Sequence, residues 1–125
     1  DDPFRNVASI MINRMLQGKQ PIIYGNGEQK REIIHVDDFC NNLLHLNGKI
    51  DNQIINIGSG IPQKFREIID FVVKETNSTS KITAIDAVDF HKIVQVKDMY
   101  ADVTKLNKLG FKQQINIYKG IKTLL

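Results

Sequence analysis

Short apolar stretches closed by turn residues alternate along this chain with longer stretches whose apolar residues recur at helical spacing, and that alternation restricts it to an α/β architecture. Pro21-Ile22-Ile23-Tyr24 reads as a strand ahead of Gly25-Asn26-Gly27, whose glycines permit a turn with positive φ. Further strands are expected from Arg31 to Val36, from Gln53 to Ile57 ahead of Gly58-Ser59-Gly60, and over residues 81–85, with an extended stretch over 92–100. Between them, Val7, Ile10, Met11 and Met15 line one face of a first helix that Asp2-Pro3 starts and Gly18 ends. Asp37 or Asp38 is expected to cap a second helix, in which Phe39, Cys40, Leu43 and Leu44 share one apolar face until Gly48. Phe65, Ile68, Ile69, Val72 and Val73 mark the clearest amphipathic helix. Thr104 is expected to cap a short helix ending at Gly110, and Asn116 the last one. A chain whose first element is a helix offers too few strands for a self-contained doubly wound sheet, so some sheet partners are expected to lie outside it.

The 125 residues suffice for one hydrophobic core and no more than one domain. Hydrophobic residues at 42% and charged residues at 25% match ordinary soluble proteins and argue against a disordered or fibrous chain. Uninterrupted apolar runs fall far below the roughly 20 residues that span a bilayer, and no signal peptide precedes the first helix, so no membrane and a cytoplasmic location are expected. Cys40 is the only cysteine, which excludes an internal disulfide, and its apolar neighbours predict a buried spacer. A net charge of +3 leans toward acidic ligands, but the lysines are scattered and no basic recognition helix is visible, so nucleic acid is not expected. Asn77-Ser78-Thr79 matches a glycosylation acceptor and is expected to be a surface turn.

The block Ile22-Ile23-Tyr24-Gly25-Asn26-Gly27-Glu28-Gln29-Lys30-Arg31-Glu32-Ile33-Ile34-His35-Val36-Asp37-Asp38 resembles the nucleotide-sugar epimerases and dehydratases, NAD-dependent extended short-chain dehydrogenases related to UDP-glucose 4-epimerase. Asn56-Ile57-Gly58-Ser59-Gly60, Ala101-Asp102-Val103-Thr104-Lys105-Leu106 with Leu109-Gly110-Phe111, and Gly120-Ile121 with Thr123-Leu124 follow in the family's order. The resemblance covers nearly the whole chain and implies that residues 1–125 are the carboxy-terminal, sugar-nucleotide-binding part, with the Rossmann half absent. What it implies to be missing includes the dinucleotide loop and the catalytic serine, tyrosine and lysine, so no catalytic residue and no cofactor site is expected in this chain, and NAD is implied for the parent enzyme. The expected partners are a nucleoside diphosphate sugar and the missing amino-terminal half. The parent's oligomeric state stays open, a homodimer among the options.

Within that resemblance Arg31 falls where the family's arginine reaches the diphosphate, a role that suits a guanidinium able to engage two phosphate oxygens at once. Glu32 departs from the aspartate usual there. Ile22 and Tyr24 alternate on one side of their strand, where the family packs the nucleobase and ribose, although the same pair would serve a core. Asn6 and Val7 lie near the first helix amino terminus, which the family places near the nucleotide, and simple helix packing is the alternative. Lys92 and Gln95 fall where the family has an arginine for phosphate and an acid for the ribose hydroxyls. Lysine keeps the charge without the bidentate fork, and glutamine offers hydrogen bonds without a negative charge, so a solvated loop is the competing assignment.

Three other patterns are expected to be structural. Gly25-Asn26-Gly27 and Gly58-Ser59-Gly60 are incomplete as dinucleotide loops and read as turns. Tyr118 and Lys122 have the spacing of a catalytic pair but lie in the terminal segment, where a solvated helix face is expected. His35, Asp37 and Asp38 read as a strand end and helix cap, and no metal site is expected. The competing function is a catalytically inactive, standalone module that binds an anionic partner through its basic surface.

Overall fold

Alternation of strand and helix is what the chain builds. The computed structural model describes residues 7–79, 81–86 and 97–125. The described residues fall into two units, one drawn from 1–29 and 64–97 with Leu125, the other from 30–63 and 98–124.

In the first unit, α1 (Val7–Leu16) leads to β1 (Ile22–Tyr24), and α3 (Phe65–Glu75) leads to β4 (Thr83–Ile85). β1 and β4 pair in parallel, Ile22 opposite Thr83 and Tyr24 opposite Ile85. The expected helical faces form its core: Met11, Met15, Phe65, Ile68, Ile69 and Val72 are buried, together with Ile12 and Ile23. Ile10 and Val73 are half-buried at its edge. Gly18 stops α1 with φ of +70°, and the amide of Lys19 donates back to the Arg14 carbonyl at 2.8 Å. Gly25 and Gly27 take positive φ as the turn requires. Their turn also caps α3: the amides of Phe65 and Arg66 donate to the carbonyls of Gln29 and Gly27 at 3.1 and 2.9 Å, so the helix begins without a side-chain cap. Asn77, at φ of +48°, makes the turn expected after that helix.

The second unit holds β2 (Lys30–Arg31), α2 (Val36–Leu46), β5 (Asp98–Met99), α4 (Thr104–Lys108) and α5 (Ile117–Lys122), and β3 (Gln63–Lys64) lies at its boundary. The strands order as β3-β2-β5, with β2 and β5 parallel and Arg31 opposite Met99. Leu46, Val103, Leu106 and Phe111 form the core, with Ile50, Ile55 and Ile57 packed against it. Asn116 caps α5 as expected, its Oδ1 accepting the Lys119 amide at 2.9 Å.

Several expectations need correction. The strand expected over Arg31 to Val36 stops at Arg31, and the stretch expected from Gln53 to Ile57 is not a strand. Side chains hold that second stretch instead of a backbone ladder: Asn56 Nδ2 donates to the Asp102 carbonyl, and Lys105 Nζ to the Ile54 carbonyl. His35, not an aspartate, caps α2, its Nδ1 accepting the Asp37 amide at 3.2 Å. Thr104 is the first residue of α4, whose leading amide donates to Asp102 Oδ1 at 2.9 Å.

The largest correction concerns the buried face of α2. Phe39, Leu43 and Leu44 are exposed, as is Cys40, whereas Asp38, Asn42 and Leu46 are buried. Burial of the polar side is possible because most of its groups find partners, Asn42 Oδ1 being the buried side-chain atom left without one among the described residues. Asn42 Nδ2 donates to the Asp38 carbonyl, and the Asp38 carboxylate accepts the amides of Gln114 and Ile115.

Candidate functional site

Arg31 ends β2, flanked in the sheet by β5 and β3. The Lys30 amide before it donates to Asp98 Oδ1 at 3.0 Å, which fixes the strand to its parallel neighbour at a point where the ladder is only two residues long. Arg31 is half-buried, and its Nη1 donates to the Lys30 carbonyl at 2.8 Å, so the guanidinium turns back along its own strand.

Glu32, the next residue, holds two distant segments. One carboxylate oxygen accepts the Gly60 amide at 2.6 Å and the other the Ala101 amide at 2.5 Å. Hydrogen bonds from backbone amides to a carboxylate are charge-assisted and stronger than those between neutral groups. Gly58 makes room for them, because a Cβ there would collide with the Glu32 carboxylate. Gly60 has φ of +67°, and a Cβ on it would strike Val103. The Gly58-Ser59-Gly60 pattern is therefore a turn, as expected, with close approach as the added reason for Gly58.

Beside Glu32 lies a cleft of about 450 Å³, lined also by Asn56, Gly58, Tyr100 and Asp102. Asp102 sits below the ordinary carboxylate pKa because the Thr104 hydroxyl and then the Thr104 amide donate to it. Arg31 is not among the lining residues of this cleft, which fits strand geometry: neighbours along an extended chain point to opposite sides. Carboxylate, amide and aromatic groups here can bind polar ligands. Among the described residues, no group of three or more His, Cys, Asp and Glu is placed to hold a metal ion, and no helix is long and apolar enough to cross a membrane.

The other sequence-predicted residues are placed in part. Ile22 is half-buried on β1, two positions from Tyr24 on the same strand, and Val7 opens α1; for Tyr24 and Val7 the backbone alone is described. These three belong to the first unit and Arg31 to the second. Asn6, Lys92 and Gln95 lie outside the described residues. Tyr118 is half-buried, and its hydroxyl donates to Gln63 Oε1 at 3.3 Å, so the solvated face expected for Tyr118 and Lys122 holds for Lys122 alone. Sequence reasoning noticed Glu32 only as a departure from aspartate. The available signal was a glutamate beside the candidate arginine together with a paired glycine turn, but its partners lie 28 and 69 positions away.

Neither glycine turn opens directly into a helix. Residues 2–58 match the NAD dependent epimerase/dehydratase family. A putative UDP-glucose 4-epimerase from Methanocaldococcus jannaschii is 34% identical over 120 residues, covering 95% of this chain and 37% of that protein. UDP-glucose 4-epimerase from Thermotoga maritima, solved with UDP-glucose, superposes with a TM-score of 0.84 at 27% identity over 97% of this chain and 39% of its own. MoeE5 in complex with UDP-glucose and NAD gives a TM-score of 0.78 at 26% identity, covering 94% of this chain and 39% of its own. The chain thus spans well under half the length of these relatives. On the matched blocks, their order and the shared fold, the chain belongs to the NAD-dependent epimerase/dehydratase family of extended short-chain dehydrogenases.

Proposed function

We propose that residues 1–125 are the substrate-binding part of an NAD-dependent nucleotide-sugar epimerase or dehydratase, and that Arg31 holds the diphosphate of the substrate. The observation that carries this proposal is the placement of Arg31 at the end of a short strand whose next residue is clamped by two backbone amides. A diphosphate gains most from a cation whose position is fixed before binding. UDP-glucose in the Thermotoga enzyme's crystal structure supports a nucleoside diphosphate sugar as the ligand class. On the family resemblance, Ile22 and Tyr24 are assigned to the nucleobase, Asn6 and Val7 to the nucleotide, and Lys92 and Gln95 to the phosphate and ribose. NAD and the proton-transfer residues belong to the remaining length of the relatives, so the chain by itself is inactive and holds no cofactor. The exposed stripe of Val36, Phe39, Leu43 and Leu44 on α2 is consistent with a part that is covered by more protein.

The test is calorimetric titration of the complete polypeptide carrying these residues with UDP and UDP-glucose. Arg31→Ala should weaken both by about 1.5 to 3 kcal/mol, the range for a hydrogen bond to a charged group, or roughly 10- to 150-fold. Arg31→Lys should recover part, and NAD affinity should not change. A folded Arg31→Ala protein that bound every nucleoside diphosphate sugar as tightly as the parent would end the proposal.

A further inference from the structure

The geometry points to Glu32 as the positioning residue for Arg31: by gripping the amides of Gly60 and Ala101 it fixes the backbone from which the guanidinium projects, and thereby sets the affinity for nucleoside diphosphates. This inference rests on the diphosphate role proposed for Arg31.

The chain between β2 and the α2 cap, residues 32–34, belongs to no strand or helix, so no ladder fixes the direction in which it leaves the sheet. Backbone pairing ends at Arg31 opposite Met99. Immediately beyond it, the Glu32 side chain reaches one oxygen to the turn at residues 58–60 and the other to Ala101, just past β5. Both oxygens are thus engaged by backbone amides, at 2.6 and 2.5 Å, from segments 28 and 69 positions further along the chain. A carboxylate accepting two such amides locks its own χ angles as well as the two segments. The fit also depends on length. Gly58 leaves no space between its Cα and the carboxylate, so the turn is shaped around a side chain of this reach. Aspartate, one methylene shorter, cannot span both amides without moving a segment.

The experiment measures UDP affinity by calorimetry in the complete polypeptide for the parent, Glu32→Gln, Glu32→Asp, Arg31→Ala and the double variant Glu32→Gln/Arg31→Ala. Glu32→Gln keeps the size of the side chain but can accept only one of the two amides well, and should weaken UDP binding by about tenfold. In the Arg31→Ala background the same change should have less than about a twofold effect, because the arginine through which it acts is gone. Amide resonances of Gly60 and Ala101 in ligand-free protein should move upfield in Glu32→Gln, an effect that reads the clamp whether or not nucleotide binds. Glu32→Asp, which keeps the charge, should fall between parent and Glu32→Gln. If Arg31→Ala weakens UDP binding and a folded Glu32→Gln does not, the positioning role is wrong while the diphosphate assignment stands. If Glu32→Gln weakens binding equally with and without Arg31, Glu32 acts on the fold or ligand directly and the inference fails. Unchanged UDP affinity in Arg31→Ala overturns the diphosphate assignment and this inference with it. A Glu32→Gln variant too unstable to titrate leaves Glu32→Asp to decide, by the same comparison in both backgrounds.

Discussion

The buried carboxylate of Asp38 accepts the backbone amide of Ile115 at 2.9 Å, from a residue 77 positions further along the chain. The Gln114 amide also reaches it, at 3.1 Å to the other oxygen. One side chain therefore ties α2 to the approach to α5. Asp38→Ala would leave two amides without their acceptor in a closed site, and should lower stability by about 3 kcal/mol. Asp38→Asn should cost less, since one oxygen still accepts. Urea unfolding of the three proteins checks the order, and an Asp38→Ala loss below about 1 kcal/mol would show the bonds to be dispensable.

Glu32 and Gly58 are complementary in size. Gly58→Ala places a methyl against the carboxylate and should destabilise by about 1 to 3 kcal/mol, the usual cost of overpacking. In a Glu32→Ala background the obstruction is gone, so the added cost of Gly58→Ala should fall below about 1 kcal/mol. Equal costs in the two backgrounds, measured by thermal melts, would mean that Gly58 is required for its backbone alone.

α2 shows where the sequence is legible and where it is not. The apolar stripe of Phe39, Cys40, Leu43 and Leu44 predicts a helix correctly, because its period belongs to the helix itself. What covers each face depends on residues far away in the chain. The amides of Gln114 and Ile115 make burial of Asp38 tolerable, and nothing local to α2 announces them. The same holds for Glu32, while α1, α3 and the glycine turns, whose signals are local, lie close to where the sequence puts them. The two faces of α2 should respond differently to substitution. Leu44, 73% exposed, should tolerate Leu44→Lys within about 0.5 kcal/mol. Leu46, 5% exposed, should lose about 2 to 4 kcal/mol as Leu46→Ala. Denaturant midpoints of the 125-residue chain in the reverse order would return the buried face to the side the sequence suggests.

Asp102 supplies a pH dependence of known sign. The Thr104 hydroxyl and then the Thr104 amide donate to its carboxylate and hold its pKa below the ordinary value. The charged form is thus favoured in the folded chain. Its contribution to stability is complete above the unfolded pKa of about 3.9, and disappears as pH falls through the lower, folded value. Asp102→Asn retains an acceptor for the Thr104 amide but has no charge to titrate. The parent should therefore be the more stable of the two near about pH 7, and its advantage should shrink as the pH is lowered to about 3 and below. Urea midpoints of both proteins across that range measure the difference directly, since the other carboxylates are common to both and cancel. A gap between parent and Asp102→Asn that stayed constant down to about pH 2 would show that the cap on α4 works through its hydrogen bonds without help from the charge.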